Sequence, residues 1–291
     1  MLATFATCRF LAYAASVLLF GTSAMLALAD SRGLRSALEL AVRRSMLISA
    51  FVGMLAVLAM LPLQVVNIAE DWHSVMDGHM LGAVAFETRF GWAWCTRVIA
   101  VAAVTLAIVL FPAGKVRLKL WLTASALLPA GLSGHAAMQE GWPGVAHAGC
   151  DMLHCLAAAF WIGSLPVFLL LLRLYEDPVR KQHATRALMR FSFLGHCAVA
   201  TLLISGLVNS VFILQSTTIS LASRYQELLL VKVFVAIAMV ALALLNRYRW
   251  IPLVRTRKRA ALRQIRRNTV LEILAGGFAL ALVSVFGLLS P

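Results

Sequence analysis

Residues 147–172 read HAGCDMLHCLAAAFWIGSLPVFLLLL, and this stretch decides the fold class. It is mostly apolar and exceeds the roughly 20 residues that a helix needs to cross a bilayer. Seven other stretches share this character, and the complete set is 8–29, 45–68, 92–111, 119–137, 147–172, 191–214, 228–245 and 269–289. We therefore predict an all-α membrane protein with eight transmembrane helices, forming a single transmembrane domain over residues 1–291.

The composition excludes the other broad classes. Apolar residues make up 62% of the chain, charged residues 13%, and the mean hydropathy is +0.88. Soluble domains are about 45–50% apolar and about 25% charged. A transmembrane barrel would alternate polar and apolar residues over segments of roughly ten residues, and no such alternation is present. Soluble, disordered and barrel architectures are therefore excluded.

The basic residues lie on alternate connections between the predicted helices. Of the 26 basic residues, 21 fall in the first, third, fifth and seventh connections, within residues 32–44, 115–119, 173–190 and 247–267. Basic loops remain in the cytoplasm, so we expect both termini to be periplasmic. The pI of about 10.6 then reflects topology and contact with anionic lipid of the bilayer. We expect no nucleic-acid partner.

The first stretch has two interpretations. It ends in Ala27-Leu28-Ala29 before Asp30, which is similar to the cleavage site of a secretory signal peptide. Cleavage there would leave the arginines of residues 32–44 outside, against the charge rule. We therefore expect an uncleaved first helix.

The fifth stretch carries ionisable residues within its apolar sequence. His147, Asp151 and His154 are spaced i, i+4 and i+7, which places them on one face of a helix, and Trp161 continues that face. Ionisable groups at this depth normally face the bundle interior or a wet cavity. A functional site is one interpretation, and an Asp–His hydrogen bond that joins helices is the other.

Soft metal ligands recur near the predicted outer face. The second connection reads WHSVMDGHM over residues 72–80 and contains Met76, His79 and Met80. His135 and Met138 repeat the pairing at the end of the fourth helix. Thioether sulfur suits Cu(I), and imidazole suits Cu(II) and zinc. The mixture favours copper, although Met is common in apolar sequences and the cluster could arise by chance.

Other polar residues have mainly structural interpretations. We expect Lys232 to extend towards the outer face, Glu272 to pair with a nearby arginine, and Ser205 with Asn209 to join helices. The five cysteines contain no Cys-x-x-Cys motif. They could bind metal or form disulfides, but small buried residues are the simpler interpretation. No ATPase loop, dinucleotide fingerprint or hydrolase elbow is present, so we do not expect an enzyme.

Several motifs together resemble the copper resistance protein D (CopD/PcoD) family. The run His154-Cys-Leu-Ala-Ala-Ala-Phe-Trp161-Ile-Gly163-Ser-Leu resembles the family signature His-x-x-Ala-Ala-x-x-Trp-x-Gly-Gly-Leu, with Ser164 in place of the second glycine. Further matches are Gly134-His135-Ala136, Arg190-Phe191-Ser192, Ser205-Gly206-Leu207-Val208-Asn209, Leu230-Val231-Lys232, Asn246-Arg247 and Glu272. The resemblance is best over about residues 85–291 and covers the first two helices mainly by position.

The resemblance implies an eight-helix protein of the bacterial inner membrane that handles copper with a periplasmic copper-binding partner of the CopC type. No CopC-like β domain is present in this sequence, so we expect a separate partner. The resemblance supports His135, Asp151 and His154 as site residues. His79 and His147 rest on local chemistry alone.

Together these observations predict copper import and copper resistance through a periplasmic site. The predicted metal ligands are His79, His135, His147, His154, Met76, Met80 and Met138, and Asp151 orients an imidazole or neutralises the cation. Two alternatives remain open. One is a haem b oxidoreductase in which His154 pairs with His196 or His135. The other is a copper-binding scaffold or sensor without transport.

Overall fold

The fold consists of helices that are long and apolar. The computed structural model describes residues 2–129, 141–214 and 224–286, and no strand occurs among them. The helices are α1 (Leu2–Leu28), α2 (Arg32–Ala69), α3 (Gly78–Glu87), α4 (Arg89–Leu110), α5 (Val116–Ser125), α6 (Gly141–Leu174), α7 (Lys181–Leu214), α8 (Arg224–Leu244), α9 (Ile251–Leu253) and α10 (Lys258–Phe286). A 3-10 turn (Trp72–Met76) precedes α3, and a π-helical segment (Leu245–Trp250) joins α8 to α9. The predicted all-α class is confirmed.

Seven helices within the described residues are long and apolar enough to cross a membrane. They are α1, α2, α4, α6, α7, α8 with its continuation to Leu253, and α10. The predicted fourth span, 119–137, begins on α5 and extends into residues 130–140, which lie outside the described part of the chain. The structure thus supports a multi-pass membrane protein, and eight remains the predicted number of spans.

Side chains that precede three helices fix where those helices begin. Ser31 accepts a hydrogen bond from the Leu34 amide at the start of α2. Asp77 accepts from two amides of α3, and Thr88 accepts from the Gly91 amide of α4. Each cap satisfies a backbone N–H that has no partner within its helix. These hydrogen bonds therefore fix the first residues of α2, α3 and α4.

α1 and α6 cross at two glycines. A Cβ added at Gly163 would lie 1.9 Å from the Val17 carbonyl oxygen, and a Cβ added at Gly21 would lie 2.0 Å from the Gly163 carbonyl carbon. The adjacent Ser164 donates a hydrogen bond to the Gly21 carbonyl at 3.2 Å. Small residues at such crossings let two membrane helices approach closely. This contact holds α6, the helix of the predicted site, against α1.

The four basic connections meet at one end of the bundle. The contacts that tie them are Asp30 with His183 and Arg186, Glu39 with the Gly114 amide, and Glu176 with Arg266. They link the first connection to the fifth and third, and the fifth to the seventh. We call this end the inner end and the opposite one the outer end. The charge pattern of the sequence therefore corresponds to a physical grouping of loops.

Candidate metal site

One face of α6 carries the predicted polar residues towards the outer end. His147, Asp151 and His154 lie on a single uninterrupted helix, Gly141–Leu174. That helix ends among the basic connections, so its first turns lie at the outer end. All three side chains contact α7, the next helix along the chain. The predicted face is therefore directed into the bundle.

His154 is held by a serine of α7. Its Nδ1 lies 3.0 Å from the Ser205 Oγ, and the Ser205 hydroxyl donates to the Thr201 carbonyl at 2.6 Å. Because that hydrogen is already used, Ser205 accepts a hydrogen bond from His154 Nδ1–H. The Nε2 atom then keeps its lone pair, which is the state in which an imidazole binds a metal ion. Hydrogen bonds of this kind orient metal-binding histidines.

The α7 backbone also supports the His154 ring. A Cβ added at Gly206 would lie 3.3 Å from His154 Cε1. The ring therefore packs close to the backbone of α7, where a side chain would crowd it. Ser205 and Gly206 together fix the position of this imidazole on two sides.

Asp151 pairs with an amide of α7, the helix that also carries Ser205. Asn209 Nδ2 donates to Asp151 Oδ1 at 3.1 Å, and Asn209 is 8% exposed. The Asn209 Oδ1 atom is buried, and no partner for it occurs among the described residues. Its acceptor is therefore open to a donor beside Asp151, such as a water molecule.

Lys232 supplies a positive charge to this cluster. This half-buried side chain on α8 lies within electrostatic range of Asp151, Cys155 and His154. The expectation that it extends towards the outer face stays a prediction. Charges in a membrane normally pair with one another. The cluster thus contains a carboxylate and an ammonium group from two different helices.

His147 is fixed by ring stacking. It is 2% exposed, and its ring stacks on Phe212 of α7 with centroids 4.9 Å apart and planes 14° apart. His147 is one turn before Asp151 on the outer side. The stack places a second imidazole on the same face as His154.

The predicted residues of the second connection lie at the surface or against a small core. Met76 is 90% exposed, and His79 is exposed at the start of α3. Met80 packs against a separate apolar cluster of α2 and α3 that includes Val65 and Val84. The exposed pair is accessible to a partner, whereas Met80 contributes to packing.

Part of the predicted ligand set lies outside the described residues. His135 and Met138 fall within residues 130–140. Within the ranges that the structure describes, no three His, Cys, Asp or Glu side chains are grouped to hold a metal ion. All five cysteines are free thiols, so the disulfide alternative has no support. The complete ligand set therefore stays a prediction.

The haem pairing of His154 with His196 does not fit the geometry. His154 contacts Ser205, which follows His196 by nine residues on α7. Nine helical residues span about 13 Å along the axis, so both imidazoles cannot reach one iron. The alternative pair, His135 with His154, includes a residue outside the described part.

A second buried polar group lies nearer the inner end. Glu272 accepts a hydrogen bond from Asn246 Nδ2 at 3.1 Å, and Asn246 Oδ1 accepts from Asn268 at 2.8 Å. The expectation of an arginine partner for Glu272 is wrong, because an amide takes that position. Trp161, on the face of His154, also lies close to Glu272. The sequence analysis singled out Glu272 and Asn246 separately. It did not predict the hydrogen bond between them, which joins α10 to the π-helical segment.

Comparison with known proteins agrees with the resemblance found in the sequence. Residues 1–145 match the model of the copper resistance protein D-like N-terminal domain, and residues 185–286 match that of copper resistance protein D. Similar proteins include inner membrane protein YebZ of Escherichia coli, 32% identical over 99% of this chain and 98% of its own length. Copper resistance protein D of Pseudomonas syringae is 32% identical over 97% of this chain and 95% of its own.

Copper transport protein CutJ of Bacillus subtilis is 31% identical over 61% of this chain and 34% of its own length. No solved structure matches this chain. The names of these relatives concern copper resistance, copper transport and the inner membrane, in agreement with the apolar helices described above. The chain is a multi-pass inner membrane protein that belongs to the copper resistance protein D family.

Proposed function

We propose that this protein imports copper across the inner membrane, taking it up at a site on the outer half of α6. The observation that carries the proposal is the orientation of His154. Its Nδ1–H is bound to Ser205, which leaves Nε2 available for a metal ion. Metal-binding histidines have such a hydrogen-bond partner on the second ring nitrogen, and ionisable residues within a membrane commonly mark functional sites.

The proposed ligands combine imidazole and thioether groups. His154 and His147 come from α6, and His135 with Met138 come from the segment that precedes it. These ligand types suit copper in both oxidation states. Copper is the transported substrate here, so a moderate affinity that permits release is what the function requires.

Asp151 and Lys232 carry opposite charges within the proposed site. A carboxylate and an ammonium group that lie near each other reduce the energetic cost of either charge within the membrane. An incoming copper cation would compete with the Lys232 ammonium for the electrostatic attraction of the Asp151 carboxylate. Displacement of Lys232 from Asp151 could then accompany loading, which links substrate binding to movement between α6 and α8.

The exposed residues of the second connection serve as the first contact with copper. Met76 lies just before α3 and His79 lies in its first turn. Both side chains are exposed at the outer surface. A periplasmic copper-binding protein of the CopC type could transfer its ion to them by ligand exchange. Met80 is proposed as a third ligand, and it would have to leave its apolar cluster to take part.

Eight membrane crossings with periplasmic termini fit the grouping of the loops. The Gly114 amide, beyond the end of α4, and Glu176, beyond the end of α6, both lie at the inner end. α6 begins at the opposite end, which supports a fourth crossing between α4 and α6. In the proposed topology this crossing begins on α5. Two reporters fused to the C-terminus test this topology. A reporter that works only in the periplasm should be active, and activity of one that works only in the cytoplasm would contradict the topology.

Copper flux into proteoliposomes separates transport from a scaffold or sensor role. The purified full-length chain is reconstituted with a copper-sensitive dye inside the vesicles. Transport predicts entry that saturates with external copper and exceeds the rate in empty vesicles. Copper binding in detergent without such entry would contradict import and favour the scaffold.

A further inference from the structure

The inner half of the bundle contains a large lateral groove. It has a volume of about 630 Å³ and lies between α6, α7, the end of α8 and α10. This volume is within the range of about 300–1,000 Å³ that small-molecule sites occupy. The groove is separate from the polar cluster around His154, and none of the proposed copper ligands lines it.

The groove exists because two neighbouring helices stand apart. α7 and α8 are barely in contact with each other, while both pack against other helices of the bundle. Side chains of α7 beside the gap, such as Met189 and Leu203, are 63% and 47% exposed. In a bilayer, the surrounding lipid has direct access to such a gap.

The walls of the groove suit a hydrocarbon chain. Most of the lining side chains are aliphatic or aromatic, with Phe168 and Leu172 on α6 and Val199 and Leu203 on α7. The buried Glu272 also borders the groove, but its carboxylate is bound by Asn246. The interior therefore offers apolar contact over most of its length.

Two arginines lie at the inner mouth. Arg247 belongs to the π-helical segment and Arg255 follows α9, and both line the groove. Neither guanidinium forms an ion pair with an acidic side chain among the described residues. Guanidinium groups bind phosphate oxygens in a two-pronged geometry, and basic pockets between membrane helices bind anionic lipid headgroups.

We infer that this groove is a binding site for one anionic phospholipid. Its phosphate is bound by Arg247 and Arg255, and one acyl chain lies along α6 and α7. The alternative occupant is a helix of another protein or of a second copy. The lipid is favoured because the apolar wall matches its acyl chain and the two arginines at the mouth match its anionic headgroup.

Native mass spectrometry of the full-length protein in mild detergent tests this inference. We expect one retained phosphatidylglycerol and much weaker retention of phosphatidylethanolamine. Arg247→Ala with Arg255→Ala should weaken phosphatidylglycerol binding by on the order of tenfold or more. Arg259→Ala with Arg263→Ala is the matched control, because both are exposed arginines of the same connection that do not line the groove. An equal loss in both double variants would indicate general surface attraction and overturn the site.

Filling the groove provides a second, independent test. Gly195 lines the groove, and a Cβ added there meets no atom within 4 Å. Gly195→Leu should therefore fold normally and expel the lipid while both arginines remain. Gly277→Leu is the control, since its Cβ position is equally open but does not line the groove. Unchanged phosphatidylglycerol binding by Gly195→Leu would contradict the acyl-chain position. Dimers in place of lipid adducts would favour a second copy as the occupant and overturn the proposal.

Discussion

The Ser205 Oγ lies 3.0 Å from His154 Nδ1 and donates its own hydrogen to the Thr201 carbonyl. The serine thus acts on the histidine as an acceptor. Removing it should leave His154 present but free to rotate or change tautomer. Ser205→Ala should weaken copper binding by about 10–100-fold, the usual effect of losing a hydrogen bond to a metal-binding residue.

Isothermal titration with copper, or competition with a chelator, measures this change. Ser210→Ala is the matched control on the same helix, because among the described residues the Ser210 hydroxyl bonds only to the Gly206 carbonyl within α7. An unchanged copper affinity in Ser205→Ala would mean that Ser205 merely joins two helices.

Asp151 and Lys232 should show a coupled effect on stability. Asp151→Asn removes the charge but keeps a polar group near Asn209. We expect the melting temperature to fall because Lys232 loses a nearby negative charge. Lys232→Met in the Asp151→Asn background should restore part of that loss. Melting temperatures of the two single variants and the double variant measure the coupling. Simple addition of the two single effects would contradict a direct charge interaction.

The crossing of α1 and α6 should not tolerate a Cβ. Gly163→Ala places a methyl group 1.9 Å from the Val17 carbonyl oxygen, so the helices must separate. We expect a loss of about 1–3 kcal/mol of stability, the usual range for overpacking. Gly149→Ala on the same helix is the control, since its added Cβ meets nothing within 4 Å. Denaturation in detergent compares the two, and equal stabilities would mean that the crossing is looser than described.

The inner end should be sensitive to acid through Asp30. Burial alone would raise the pKa of Asp30, but its hydrogen bond with His183 and the charges of Arg186 and Arg190 outweigh burial and lower the pKa. A lowered pKa in the folded state means that ionised Asp30 stabilises the fold above the ordinary Asp pKa of about 3.9. This stabilisation is lost as the pH falls through the lowered value.

Melting temperature against pH for the wild type and Asp30→Asn tests the effect. The two should differ at neutral pH and converge in acid. Asp177→Asn serves as the control, because in the part of the chain that the structure describes the Asp177 carboxylate is paired only within its own turn, with Arg180 and the Val179 amide. A constant difference between wild type and Asp30→Asn at all pH values would contradict the assigned role of the charge.

The sequence predicts the helices well because the bilayer imposes a length of about 20 apolar residues on each crossing. It also predicts the face of α6, since a period of 3.6 residues fixes which side chains align. The grouping of the basic connections follows from the same charge rule. These features depend on local sequence.

Contacts between helices are less predictable, because the sequence does not fix how one helix rotates against the next. Lys232 on α8 influences Asp151 on α6 through its charge, and no pattern within either helix indicates that the two residues come near each other. Glu272 binds Asn246, a buried residue of the π-helical segment, rather than an arginine. The role of Ser205 depends on a ring nitrogen 51 positions away, and no pattern within one helix could indicate it.

Copper content measured together with thermal stability for His154→Ala tests the central claim most directly. His73→Ala is the control, since that side chain is 94% exposed and its one partner within the described ranges is Asp71. The proposed site predicts that His154→Ala loses bound copper while its melting temperature stays close to that of the wild type and of His73→Ala. A His154→Ala protein with full copper content and a clearly lowered melting temperature would contradict the account, because His154 would then join helices rather than bind metal.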